Sequence, residues 1–183
     1  MRIAVIGPQN TGKTTFVKDF IEAFPQFSTP NKSYRDLVIE ENLVINQETS
    51  EQSQRAIRDF LLKQQENFEQ RPAIFDRCVV DNYIYTKARY MAGGIRETFV
   101  EETAAIMYRS VTFFDTIIFI PTAGSVAFEE DTLRDTDRLF ADQINRLYIN
   151  TLFSLRNAIP HPIIAITGSR EDRVAQAKEA LLL

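Results

Sequence analysis

Eight residues near the start of the chain, Gly7-Pro8-Gln9-Asn10-Thr11-Gly12-Lys13-Thr14, carry the most specific chemistry in the sequence. They fit the spacing G-x-x-x-x-G-K-[ST], with a strand-like run before and a helix-like run after. In such a loop successive backbone N–H groups point inward and make a nest for an anion. The following helix adds the partial positive charge of its N-terminus. Gly12 lets the backbone approach phosphate closely, Lys13 reaches the β- and γ-phosphates, and Thr14 offers a hydroxyl to Mg²⁺. The whole stretch from Gly7 to Thr15, with Pro8, Gln9, Asn10 and Thr11 inside it, is the candidate ATP contact, and Mg²⁺ is the companion ion. A plain glycine turn is the competing reading, and both flanks speak against it. The motif leaves the reaction open.

A second cue lies in "AIFDRCVVDNY", residues 73 to 83, where an apolar run stops at Asp76 and Arg77. Phosphoryl transfer needs an acceptor for a hydroxyl proton and cations for the spreading charge. A carboxylate at a strand end beside the phosphate loop can orient a hydroxyl, take its proton or hold a magnesium water, so Asp76 joins Thr14 as a candidate metal ligand. The Arg77 guanidinium can grip substrate oxygens in a fixed fork. The pair also reads as an Asp N-cap with Arg77 on the surface of the next helix. Asp81, Asn82 and Tyr85 either face an acceptor pocket or are surface or core residues. Asp81 stands five residues after Asp76, which is not a helical spacing. Cys78 reads as a packed thiol and His161, between two prolines, as a loop residue.

The elements that must position these groups alternate. "RIAVI" (2–6) is a short strand, stopped by Gly7-Pro8. Residues 13–24 put Phe16, Phe20, Ile21 and Phe24 on one helical face. Residues 25–32 read as loop, and Ser33 caps a short helix. Residues 50–69 form a helix with Ile57, Leu61 and Phe68 in a stripe and Ser50 as its cap. Residues 73–75 begin a strand that ends at Asp76, 79–91 and 96–109 are helices, and 116–122 is an apolar strand. A loop covers 123–132, a long helix 135–158, a last strand 162–168 and a last helix 169–183. This order predicts an α/β three-layer sandwich with a mostly parallel central sheet. Ligands then gather at the carboxyl ends of the strands, the edge that carries Gly7, Asp76, Pro121 and Gly168.

The chain has 183 residues, 44% hydrophobic and 25% charged, with a net charge of −4. That length suits one domain over 1–183, and that charge argues against indiscriminate binding to polyanions. A single cysteine excludes an internal disulfide framework and a multi-cysteine zinc site, and points to a reducing compartment, the cytoplasm, or the host cytoplasm if the chain is viral. No apolar run reaches the ~18 residues that a membrane span needs.

With these motifs in place the sequence resembles the P-loop nucleoside and nucleotide kinases. In thymidylate kinases a similar Asp-Arg lies at the acceptor site. "FIPTAGSVAFEEDTLRDTDRLFADQINRLY" looks like the strand, lid loop and lid helix of small P-loop kinases, with the lid at about 123–140. It is most similar to the ATPase-like family that includes nicotinamide riboside kinase domains and many phage proteins. "ITGSREDRV" resembles that family's last strand and adenine-side loop. The resemblance implies that Arg134 closes on the transferring group, with Arg138 as second candidate, an effect of ~10³-fold or more on rate. It offers Arg170 as a residue stacked on adenine, and Tyr34 and Arg35 as part of the acceptor site. A charge-rich helix start around Arg134 and an exposed Arg170 are the plain readings of the same residues.

Three functions compete. The first is an ATP-dependent kinase acting on a hydroxyl or phosphate of a nucleoside- or nucleotide-type small molecule; a homodimer is compatible with it. The second keeps the reaction and takes DNA carrying modified bases as acceptor, similar to phage kinases of 5-hydroxymethyluracil in DNA. Lys32, Arg35, Arg71, Lys87, Arg89 and Arg96 would then line a DNA path. The third is a P-loop ATPase or switch module. No apolar strand ends in Asp-Glu and no late Asn-Lys-x-Asp is present, so this reading ranks lowest.

Overall fold

The computed structural model describes residues 1–122, 138–159 and 162–183. Four strands, β1 (Arg2–Ile6), β2 (Ala73–Asp76), β3 (Thr116–Phe119) and β4 (Ile164–Ala165), form one all-parallel sheet in the order β2-β1-β3-β4. Parallel strands need crossover connections, and helices supply them. These are α1 (Lys13–Ala23), α2 (Tyr34–Glu40), α3 (Glu51–Asn67), α4 (Val79–Met91), α5 (Glu97–Ser110), α6 (Arg138–Leu155) and α7 (Arg170–Leu181).

The alternation of side chains along each strand divides the core in two. Ala4, Ile6, Phe75, Ile117 and Phe119 face one way, toward α2 to α6, where Leu61, Ile84 and Tyr148 pack. Ile3, Val5, Ile74, Ile118 and Ile120 face the other way, toward α1 and α7, meeting Phe16, Phe20 and Ala177. Each of these wholly buried large side chains contributes ~1.5–3 kcal/mol. The stripe expected on α1 is real: Phe20 lies 5.8 Å from Phe16 and 4.8 Å from Phe24, centroid to centroid.

Caps fix several helix starts. Ser33 and Asp36 form a capping box on α2, Ser50 caps α3, and Ser169 and Asp172 form a second box on α7. Three expectations shift, the first being the apolar strand expected over 116–122, which ends at Phe119. The last strand is shorter than 162–168, because Pro162 has no N–H and Gly168 turns the chain with φ 90. The loop at 25–32 is not wholly irregular: Ser28 bridges Ala73 in parallel, with its N–H on the Pro72 carbonyl at 3.0 Å. Among the described residues no helix is long and apolar enough to cross a membrane.

Candidate functional site

Because the strands run in one direction, their carboxyl ends share an edge. Gly7 leaves β1 there with φ 150, so close to β3 that a Cβ would collide with the Ile120 carbonyl. Asn10 (φ 61) and Gly12 (φ 80) complete the turn into α1. The Thr11 hydroxyl braces the loop from inside by donating to the Pro8 carbonyl at 2.9 Å. The first turn of α1 carries no acidic residue, so its positive end stays available to an anion. Lys13 is buried and curls onto the Pro8 carbonyl. Desolvation and the neighbouring Arg77 hold its ammonium well below the usual lysine range, against the pull of Asp81 and Asp76. A triphosphate in the loop would reverse that depression.

Across the loop, the Thr14 hydroxyl donates to Asp76 Oδ2 at 2.5 Å. Asp76 Oδ1 is buried and has no hydrogen-bond partner. A hydroxyl beside a carboxylate with one unengaged oxygen is a hard-oxygen donor set that fits Mg²⁺. Among the described residues no group of three or more His, Cys, Asp or Glu could hold a metal. An ion here would therefore complete its shell with phosphate oxygens and water, the usual habit of Mg²⁺.

Asp76 and Arg77 part company at the strand end. Arg77 has φ 84, a left-handed conformation that costs an L-residue on the order of 1–2 kcal/mol. Its N–H still closes the ladder on the Val5 carbonyl at 2.9 Å. The turn leaves Asp76 toward the phosphate loop and drops the Arg77 side chain into the protein, 8% exposed, with its guanidinium 4.4 Å from the Tyr34 ring centroid. The N-cap reading of Asp76 is thus corrected: the N-cap of α4 is Cys78, and Arg77 is not a surface residue.

The acid that answers Arg77 is Asp81, 2% exposed. Its Oδ2 accepts the Cys78 N–H at 3.0 Å, and its Oδ1 accepts from the Tyr148 hydroxyl at 2.7 Å, from Arg77 at 3.3 Å and from the Gly7 N–H at 3.4 Å. One carboxylate therefore ties the start of α4, the end of β2, the middle of α6 and the entry to the phosphate loop. Burial raises its carboxyl from the ordinary value, while Arg77, Lys13 and the Tyr148 hydroxyl hold it down.

Beside this cluster opens a pocket lined in part by Tyr34, Arg35, Gln54, Arg77, Asn82 and Tyr85. Asn82 donates to the Gln54 carbonyl at 2.8 Å and to its Oε1 at 2.7 Å, and Gln54 donates to the Thr49 hydroxyl at 2.9 Å. The Tyr85 hydroxyl accepts the Gln9 N–H at 3.2 Å, joining the pocket wall to the phosphate loop.

A family model described as an AAA domain matches residues 2–173. The chain belongs to the AAA domain family. No curated protein matches it. Among solved structures it is similar to deoxyadenosine kinase from M. mycoides with bound dCTP, at TM-score 0.69 and 15% identity, covering 100% of this chain and 99% of that one. It is also similar to NadR protein in complex with NAD and AMP-PNP, at TM-score 0.72 and 12% identity, covering 100% of this chain and 49% of that one. Thymidylate kinase from Candida albicans follows at TM-score 0.64 and 14% identity, covering 99% and 90%. This AAA domain thus has the fold of the P-loop nucleoside and nucleotide kinases.

Of the residues named from sequence, the AAA domain brings Lys13, Thr14, Asp76 and Arg77 to one edge, with Tyr34, Arg35, Asn82 and Tyr85 around the adjoining pocket. Arg134 lies outside the described residues, as do the 123–137 part of the lid and His161; Arg138 opens α6, and its side chain is outside the description too. Arg170 lies at the α1–α7 surface, bidentate on Asp19 at 2.9 and 2.5 Å. The arginine of that helix that reaches the phosphate loop is Arg173, which donates to the Thr11 carbonyl at 2.7 Å and to the Gly168 carbonyl at 3.1 Å.

Sequence reasoning missed Arg173 and Gln54 and left the role of Asp81 open. Asp81 carried a readable signal, because it stands four residues after Arg77, the spacing of a helical ion pair. Gln54 was visible as a polar residue one turn before Ile57 on the buried stripe of α3. Arg173 had no local signal.

Proposed function

We propose that this AAA domain is an ATP-dependent phosphotransferase, moving the γ-phosphoryl group to a hydroxyl or phosphate of a nucleoside- or nucleotide-type acceptor. The observation that carries the reading is the Thr14–Asp76 contact, which joins the end of the phosphate loop to the residue before Arg77, a lining residue of the pocket. Lys13 and the loop N–H groups bind and orient the triphosphate. Thr14 and Asp76 would hold Mg²⁺, which would supply positive charge against the negative charge that develops during transfer. Asp76 orients the acceptor and takes its proton as the acceptor oxygen bonds to the γ-phosphorus and the bond to the β-γ bridging oxygen breaks. Arg77 and the lid arginines Arg134 and Arg138 belong to the same proposal.

The similarity to kinases of deoxyadenosine and thymidylate supports it. So does the surface chemistry. Lys32 pairs with Glu40, Arg96 with Glu51, and Arg89 donates to the Thr49 carbonyl. Basic side chains held this way favour a small acceptor over a DNA track. A cytoplasmic setting, where ATP is at hand and Cys78 stays reduced, goes with this reading. The test is transfer of label from γ-labelled ATP to a panel of nucleosides, monophosphates and modified DNA. Label released to water alone, with every acceptor unlabelled, overturns the proposal in favour of an ATPase.

A further inference from the structure

The phosphotransfer reading leaves open whether the acceptor is a hydroxyl compound or a monophosphate, and the charges around the pocket separate the two. A phosphate monoester carries about −1.5 to −2 at neutral pH, and its capture takes guanidinium or ammonium groups with charge to spare. Among the described residues the pocket is lined by two guanidinium groups, Arg77 and Arg35, and one carboxylate, Asp81. Asp76 stands at the adjoining edge, and Lys13 is turned onto the phosphate loop.

Arg77 is already matched. Its Nη1 lies 3.3 Å from Asp81 Oδ1 in a buried ion pair. Both partners carry further contacts: Arg77 is stacked on Tyr34, while Asp81 is held by Tyr148, Cys78 and the Gly7 N–H. Drawing Arg77 onto a phosphate would strand a buried carboxylate, a loss on the order of a hundred-fold or more in affinity. Leaving the pair intact would set a dianion beside Asp81 and Asp76, with two guanidinium and two carboxylate charges in balance.

A neutral ligand meets no such obstacle. Ile45, Ile57 and Leu61 give the pocket an apolar wall, and the same wall carries an acceptor in need of a donor, since Asn82 Oδ1 is buried without a hydrogen-bond partner. We infer that the acceptor is an uncharged hydroxyl compound of nucleoside type, and that Asp81, by neutralising Arg77, is the residue that excludes the corresponding 5′-monophosphate. The inference rests on the phosphotransfer reading for the chemistry, but the selection can be measured without turnover.

The experiment is calorimetric binding to the full chain, with a non-hydrolysable ATP analogue present, of matched pairs: adenosine and AMP, cytidine and CMP, thymidine and TMP, nicotinamide riboside and its mononucleotide. At least one nucleoside should bind about ten-fold or more tighter than its monophosphate, with no pair reversed. A monophosphate that binds tighter than its nucleoside overturns the inference, and so does a panel in which no nucleoside binds. Asp81→Asn should then narrow the ratio by about ten-fold, because Arg77 loses the carboxylate that balances its charge. If that variant does not fold, Tyr148→Phe, which loosens the grip on Asp81, should narrow it in the same direction by about three-fold. A ratio unmoved in the folded variant refutes the role of Asp81. Labelled transfer from ATP is scored separately. Transfer to monophosphates in preference to nucleosides sinks the selection and leaves the kinase reading standing. Nucleoside binding without any transfer does the reverse.

Discussion

Tyr148→Phe isolates one oxygen atom. The Tyr148 ring is wholly buried and packs 5.6 Å from Phe119, centroid to centroid. Phenylalanine keeps that ring and leaves a gap of hydroxyl size. What is lost is the 2.7 Å hydrogen bond to Asp81 Oδ1, a bond to a charged acceptor, for which ~1.5–3 kcal/mol is expected. Taking ~2 kcal/mol, the melting temperature of a chain this size should fall by about 4–8 °C. The loss should also depend on pH. The folded-state value of the Asp81 carboxyl lies above its ordinary 3.8 because burial outweighs its donors, and removing a donor raises it further. A carboxyl raised on folding contributes stability that is fully present below its unfolded value and is lost as pH rises through its folded value. The penalty of Tyr148→Phe should therefore be small near pH 4 and grow toward neutrality. Urea unfolding of both proteins at several pH values measures it, with equal slopes as the control. A midpoint difference at neutral pH worth less than ~0.5 kcal/mol, or a penalty larger in acid, refutes the picture of an ionised Asp81 held by Tyr148.

Lys13→Ala should abolish phosphoryl transfer and weaken triphosphate binding, read by titration with an ATP analogue. Asp76→Asn should lower turnover by ~10²-fold or more while leaving ATP affinity nearly intact; a fully active variant removes Asp76 from the chemistry. Gly7→Ala sets a methyl against the Ile120 carbonyl and should cost at least ~2 kcal/mol of stability by denaturant unfolding. Arg173→Met takes two hydrogen bonds from the carbonyls of Thr11 and Gly168. It should raise KM for ATP several-fold with a smaller change in kcat, and equal changes in both would argue against a role in shaping the loop.

Local codes were legible in the sequence. The helix expected over 79–91 runs from Val79 to Met91 because Gly93-Gly94 ends it, and Ser33 and Ser50 cap the helices they were expected to cap. Alternation within "RIAVI" and "TIIF" resolved into two core faces, as the period of two requires. The contact of Thr14 with Asp76 follows from parallel strands sharing an edge, so topology alone brought residues 62 apart into touch. What stayed hidden depends on pairing across the fold. Arg173 meets a carbonyl 162 residues earlier, and no window of sequence encodes that. Arg77 read as a free gripping group because its neutralising partner was measured from Asp76 and not from Arg77 itself. The buried polar residues of α3 were masked by their exposed look in a helix that is otherwise charged.

The ring of phenols around Arg77 has a practical side. The chain has no tryptophan and six tyrosines, and three of these, Tyr34, Tyr85 and Tyr148, touch the guanidinium–carboxylate cluster or the loop beside it. Half of the chain's tyrosines therefore report on this one region. Phenol fluorescence is sensitive to a carboxylate at its hydroxyl and to a cation over its ring, so filling of the pocket can be followed by light, with no dye attached and no residue replaced.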